Sequence, residues 1–254
     1  MSELTPPDET AAIPAPLAAE AVALGWGRIA AWAGRAAPAL QASLRPGASE
    51  EALAAFEAKY GLTLSPGLRA SLAVYDGQTV KAGGANPGVL WAGDTFRLLP
   101  LSTLTAVAEE WAEAAAMGFK ATTGLWMPFA QASSGDTLAV DILTDRVSLS
   151  FLDDEEGALV YPYAHLGQLL GWIADELEAG KIAWTMGALE RKGAGYRAVR
   201  AAAEDLLDDT LDVGGGLTTL LGAVSAAVGD PVWLLHKRWG HRLEELVEWS
   251  GDEE

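Results

Sequence analysis

The sequence contains no cysteine, which excludes disulfides, thiolate nucleophiles and cysteine zinc sites together. Histidine is nearly as scarce. Of the three, His236 and His241 stand five apart rather than at the i, i+4 spacing that puts two ligands on one helix face, and His165 falls at an expected helix start. No metal site and no cofactor is expected. Phosphate loops are missing too: Gly83-Gly84 and Gly214–Gly216 lack the Lys-Ser/Thr that grips phosphates, and Ser133-Ser134-Gly135 lacks the Gly-x-Ser-x-Gly elbow of a serine nucleophile. Positive charge is in short supply, 17 Lys and Arg against 35 Asp and Glu, for a formal net charge of −18. Such a surface repels phosphate backbones and anionic lipids, so neither nucleic acid nor membrane is an expected partner; it accelerates the approach of a basic protein. No apolar run reaches the length of a spanning helix. The opening MSELTPPDETAAIPAP is acidic and proline-rich, unlike a signal peptide. The expectation is a cytoplasmic protein with a flexible lead over 1–16.

What is present is helix-forming and apolar. Half of the 254 residues are hydrophobic, enough for a sizeable core. Alanine-rich helix is expected from Leu17, with Leu24, Trp26, Ile29 and Trp32 available for a core face and breaks at Pro38 and Arg45-Pro46-Gly47. Ser49–Gln78 is the most legible stretch. Ser49 can cap a helix whose first turn carries Glu50 and Glu51, Leu53, Phe56 and Tyr60 share a face, and Gly61 is a left-handed stop. Ser65 and Pro66 open a second helix with a stripe of Leu68, Leu72 and Tyr75, stopped at Gly77 in the turn Tyr75-Asp76-Gly77-Gln78.

Downstream, a short strand is expected around Val89–Trp91. A helix follows Pro100, capped by Ser102 or Thr103, with Leu104, Val107, Ala108 and Trp111 on one face and Gly118 at its close. Trp126–Ala130 and Thr137–Asp141 read as strands around the turn Ser133–Asp136. Arg146–Phe151 is a third, Val147, Leu149 and Phe151 alternating against Arg146, Ser148 and Ser150. A strand at Ala158–Tyr161 follows the acidic turn Asp153-Asp154-Glu155-Glu156-Gly157. The helix His165–Leu177 buries Leu166, Leu169, Leu170, Ile173 and Leu177. Residues 181–254 read as added helices, Ala188–Leu211, Leu217–Val228 and one opening at Pro231-Val232-Trp233 and running to Trp249, which can pack on the core or mediate self-association. Helices, then short strands, then helix is an α+β pattern.

Two motifs in order carry a resemblance. The first is a helix with a central Glu57, the linker Gly61-Leu62-Thr63-Leu64, Ser65-Pro66, a second helix and Tyr75-Asp76-Gly77-Gln78. The second is Trp126-x-Pro128-Phe129-Ala130, Gly135-Asp136 and Leu138-x-x-Asp141. Together they resemble the SUKH superfamily, which comprises cell-wall-synthesis regulators of the Smi/Knr type and bacterial immunity proteins that neutralise polymorphic toxins. The resemblance implies an α+β fold, a mostly antiparallel sheet with helices packed on one face, here with a C-terminal helical extension. It implies a domain over 17–180 between the lead and the extension at 181–254, and a tryptophan in the N-terminal helix, a slot open to Trp26 or Trp32. It also implies a non-enzymatic role: binding a cognate toxin, or regulatory scaffolding without one.

The motif residues are expected to be mostly structural. The competing reading is an acid–base group made from Asp76, Asp136 and Asp141, since buried carboxylates raise one another's pKa. Aspartates beside turn glycines are explained without it, by side-chain bonds to the backbone. The acidic runs are ordinarily solvated faces; their functional reading is a mimic of nucleic-acid charge or a plug for a basic cleft, with Asp153, Asp154, Glu155 and Glu156 the candidate partner-binding residues. The runs around Asp205–Asp212 and Glu244–Glu254 carry the same two readings. Most of the ten tryptophans belong to the core, and any left exposed is a candidate interface anchor.

Overall fold

A computed structural model describes residues 15–79, 88–91, 94–116, 126–150, 159–160, 165–185, 188–191, 199–203, 206, 216–228, 232, 235 and 243. The chain divides into two compact units, one within 9–191 and one within 192–254.

The first unit is organised around α1 (Ala15–Ala36). Ala18, Val22, Trp26, Ile29 and Ala33 recur at three- and four-residue steps and are buried, so one face of this alanine-rich helix is apolar throughout. Leu24, expected in that face, points to solvent and is 66% exposed; it lies off the three-to-four-residue row that Val22 and Trp26 define. At Gly25 an added Cβ would sit 2.7 Å from the Cβ of Leu170. The missing side chain is what lets α1 lie directly on α6 (Leu166–Glu178). A one-turn α2 (Pro38–Gln41) follows.

The two helices expected after Ser49 form as read. Ser49 Oγ accepts from the Ala52 amide to cap α3 (Glu50–Tyr60), and Gly61 stops it at φ +62°. Ser65 Oγ accepts from the Leu68 amide to cap α4 (Pro66–Val74). The second helix ends three residues before its expected stop at Gly77. Tyr75–Gln78 is a strand, β2, paired antiparallel with β1 (Leu44–Pro46). The Arg45-Pro46 break is therefore also a strand: proline is tolerated at the edge of a two-stranded pair, where no ladder needs its N–H.

The main sheet has six antiparallel strands in chain order. They are β3 (Leu90–Trp91), β4 (Thr95–Leu98), β5 (Trp126–Ala132), β6 (Thr137–Asp141), β7 (Val147–Ser150) and β8 (Leu159–Val160). β4 adds a strand where the sequence pattern showed only an approach to the next helix, α5 (Leu101–Ala116). Leu138, Ala139 and Val140 are all buried, and Ser148 is buried beside Val147. The middle of the sheet is thus covered on both faces, and β7 forms where expected with Val147 buried and Arg146 exposed. Gly118 and Phe151 lie outside the described residues.

Ile182–Thr185 and Ala188–Arg191 form an antiparallel hairpin, β9 and β10. The expected helix from Ala188 begins instead as a strand. Its local propensity is helical, but Ile182 and Leu189 become buried in the hairpin, and the Arg191 Nε donates to Glu176 Oε2 of α6 at 2.7 Å with both side chains almost fully buried. Tertiary burial outweighs a propensity difference of less than about 1 kcal/mol per residue.

The second unit is helical where described, with α7 at Gly216–Val228. Val199, Ala203, Leu220, Leu221, Val224, Leu235 and Leu243 form its own buried cluster. Of the helix expected from Pro231 to Trp249, Val232, Leu235 and Leu243 are described and helical. Asp205, Asp208, Asp209 and Asp212, residues 244–254, His236 and His241 lie outside the described residues.

Candidate functional site

Tyr75-Asp76-Gly77-Gln78 follows α4 without a loop, so its backbone is held at one end by a helix and along its side by β1. Each residue then fastens a different part of the unit. The Tyr75 ring meets Trp26 of α1 edge to face, centroids 5.4 Å apart, and the Trp26 indole N–H donates to Ser71 Oγ at 2.9 Å. Trp26 is therefore the tryptophan of α1 that is tied to the motif. Asp76 Oδ1 accepts from the Leu101 amide at 2.7 Å and Oδ2 from Arg45 Nη2 at 2.9 Å.

The cap of α5 thus comes from 25 residues upstream rather than from Ser102 or Thr103. Both hydroxyls lie inside the helix's first turn, and Pro100 before it offers no side-chain acceptor. Gly77 adopts φ +78°, and an added Cβ would stand 2.7 Å from the Pro100 nitrogen. Gln78 is buried; its amide donates to Ser43 Oγ at 2.8 Å, and its Oε1 accepts from the amides of Val89 and Leu98 at 3.1 and 3.0 Å. This short strand pins α1, β1, β4 and α5 to one another.

The other motif residues also make structural bonds. Glu57 Oε1 accepts from the Leu64 amide at 3.0 Å and its Oε2 from Arg69 at 3.4 Å, joining α3 to α4. Pro128 sits at an irregularity of β5 opposite Ala139. The β4 partner strand has already ended there, at Leu98 opposite Ala130, so the absent N–H interrupts no ladder on that side. Gly135 takes φ +100° in the β5–β6 turn, and Asp136 follows it with its amide donating to Ser134 Oγ at 3.4 Å. Asp141 accepts from the Leu143 amide and the Thr144 hydroxyl, closing the β6–β7 turn.

Asp136 and Asp141 stand near opposite ends of β6, and Asp76 faces Arg45 and the start of α5. These three are the aspartates of the acid–base reading, and the carboxylates of Asp76 and Asp141 are held by separate structural partners. Asp153, Asp154, Glu155 and Glu156 lie outside the described residues.

One carboxylate escaped the sequence reading. Asp145, in the β6–β7 turn, is a buried non-glycine residue at φ +63°. Its Oδ1 accepts from Ser65 Oγ at 2.5 Å and from the Gly67 amide at 3.1 Å, at the start of α4. Its Oδ2 has no hydrogen-bond partner among the described residues, and neither has Nδ1 of the buried His165 at the start of α6. Burial raises the Asp145 pKa above the usual aspartate value, opposed by the Ser65 bond and by His165; burial lowers that of His165, opposed by Asp145. The available signal was slight: an Asp in a tight turn tolerates left-handed backbone, while its partner Ser65 is 80 positions away.

Most described cations of this unit are matched with carboxylates. Arg28 bonds Asp175 and Glu178, Arg69 bonds Glu50 and Glu57, and Glu176 takes both Lys181 and Arg191. Among the described residues no group of three or more His, Asp or Glu could hold a metal ion, and no helix is long and apolar enough to cross a membrane.

Fold and motif together define an α+β domain whose signature residues hold it in shape. The sequence profile of the SMI1 / KNR4 family (SUKH-1) matches residues 47–177, half of the chain, and the protein belongs to that family. The family includes toxin-immunity proteins as well as Smi/Knr members. No curated protein matches the chain. The matched span excludes α1 and the β9–β10 hairpin, both of which pack within the same unit.

Proposed function

We propose that this protein is a non-enzymatic immunity-type protein that binds a cognate, basic toxin through an acidic surface and occludes or distorts its active site. The observation that supports this best is the use of the motif: Asp76, Gln78 and Asp141 are occupied by bonds to the fold, in a family of immunity and regulatory proteins. A net charge of −18 suits a basic partner. The run Asp153–Glu156 is the proposed contact, working in the cytoplasm where a self-directed toxin would act. The second unit, within 192–254, is proposed as the extension that supports self-association.

The test is co-expression with any toxin encoded beside the gene. Protection of the cells and stoichiometric co-purification are expected. Absence of a toxin-like neighbour together with no co-purifying basic protein contradicts the reading. The second reading, a regulatory scaffold of the Smi/Knr type, rests on the same family membership and predicts several partners in a pull-down instead of one tight one.

A further inference from the structure

A cavity of about 480 Å³ opens beside the Tyr75–Gln78 strand, lined by Arg45, Gln78, Thr79, Arg97, Leu99 and others at the start of α5. Its character is opposite to that of the chain. Carboxylates outnumber cations two to one in this protein, yet the lining residues contribute two guanidinium groups and no carboxylate. Arg45 is held by Asp76 at 2.9 Å with its side chain 42% exposed, so donors of its fork remain available. Arg97 is half-buried, and among the described residues its side chain enters no ion pair or hydrogen bond. Arg35 and Arg146, the other arginines of this unit without a described ion pair, are exposed to solvent.

Position along β4 explains why Arg97 faces this space. Phe96 and Leu98 are buried on the core side, so the intervening Arg97 projects from the other face of the strand. Nothing in the core needs its charge. An arginine left without a carboxylate, in a chain with so many available, is placed for an anion from outside. The planar fork suits the oxygen pairs of carboxylates and phosphates, with Thr79 and Thr103 supplying hydroxyls to the same space and Leu99 and Pro100 an apolar wall. The volume lies in the range of small-molecule pockets.

We propose that this cavity binds a small ligand or side chain through one oxyanion group, carboxylate or phosphate, with Arg97 as its principal cation and Arg45 as the second. The site is of opposite sign to the acidic surface and does not depend on the immunity reading.

The test is an NMR titration of the full chain at constant ionic strength with three probes: inorganic phosphate, succinate, and a blocked glutamate-containing peptide. Saturable shifts at the Thr79, Leu99 and Thr103 amides are expected for at least one probe. Arg97→Gln is expected to weaken that binding about tenfold or more, as for loss of a charge-assisted hydrogen bond, with thermal stability unchanged. Thr103→Val, which keeps both arginines, is expected to weaken it less. Saturation by phosphate or succinate identifies a free small anion; saturation by the peptide alone identifies an acidic side chain of a protein partner. No saturable shift with any probe, or equal affinity in Arg97→Gln, overturns the proposal.

Discussion

Gly77 is the residue on which the motif is most exacting. Its positive φ is strained for any residue with a side chain, and a Cβ would meet backbone atoms of Pro100, which cannot swing aside. Gly77→Ala is expected to destabilise the protein by more than about 1 kcal/mol, read as a lowered urea midpoint. Asp76→Ala removes the cap of α5 and the partner of Arg45 together. The expected loss is about 1–2 kcal/mol from the cap. Unchanged stability in Asp76→Ala would contradict its structural role.

His165 sets a pH dependence. Its folded pKa lies below the unfolded value near 6.5, so the unfolded chain binds the proton more readily and stability is lost as pH falls through about 6.5. Asp145, the charged group that faces it from the β6–β7 turn, works in the opposite sense: its folded pKa is raised, so its contribution falls as pH rises above the ordinary aspartate value. The window from pH 7.5 to 5.5 brackets the ordinary histidine value. Melting temperatures of wild type and His165→Gln across that window should converge on the acid side; parallel curves would contradict the assignment.

At the scale of elements, legibility followed sequence distance. The caps Ser49 and Ser65 and the stop at Gly61 act within four residues, and the structure has them where local chemistry put them. The stripe of α6 was equally plain, because its five apolar residues repeat on one face. The strand character of Tyr75–Gln78 was hidden because its partner, Leu44–Pro46, contains a proline and lies thirty residues upstream. Asp76 as the cap of α5, and Asp145 beneath Ser65, depend on contacts that no local pattern encodes. The β9–β10 hairpin was misread for the same reason: Ala188-Leu189-Glu190-Arg191 is helical by composition and becomes a strand only against Ile182–Thr185.

That hairpin completes the first unit, beyond the family-matched span. Arg191→Leu would leave Glu176 buried with only Lys181, half exposed, as its partner. The expected loss is toward the low end of about 3–5 kcal/mol for a broken buried pair, measured by urea unfolding. A change within experimental error would mean the hairpin is an appendage.

For the whole molecule, charge is the dominant property. The proposed acidic contact and the cationic cavity predict opposite responses to partner sign, and the surface field governs rate more than affinity. The most direct measurement is the stopped-flow association rate of this protein with its co-purified toxin as a function of salt. The account predicts a rate that falls steeply with added salt, and falls again at low salt when Asp153, Asp154, Glu155 and Glu156 are replaced by their amides. A rate indifferent both to salt and to those four substitutions would contradict it.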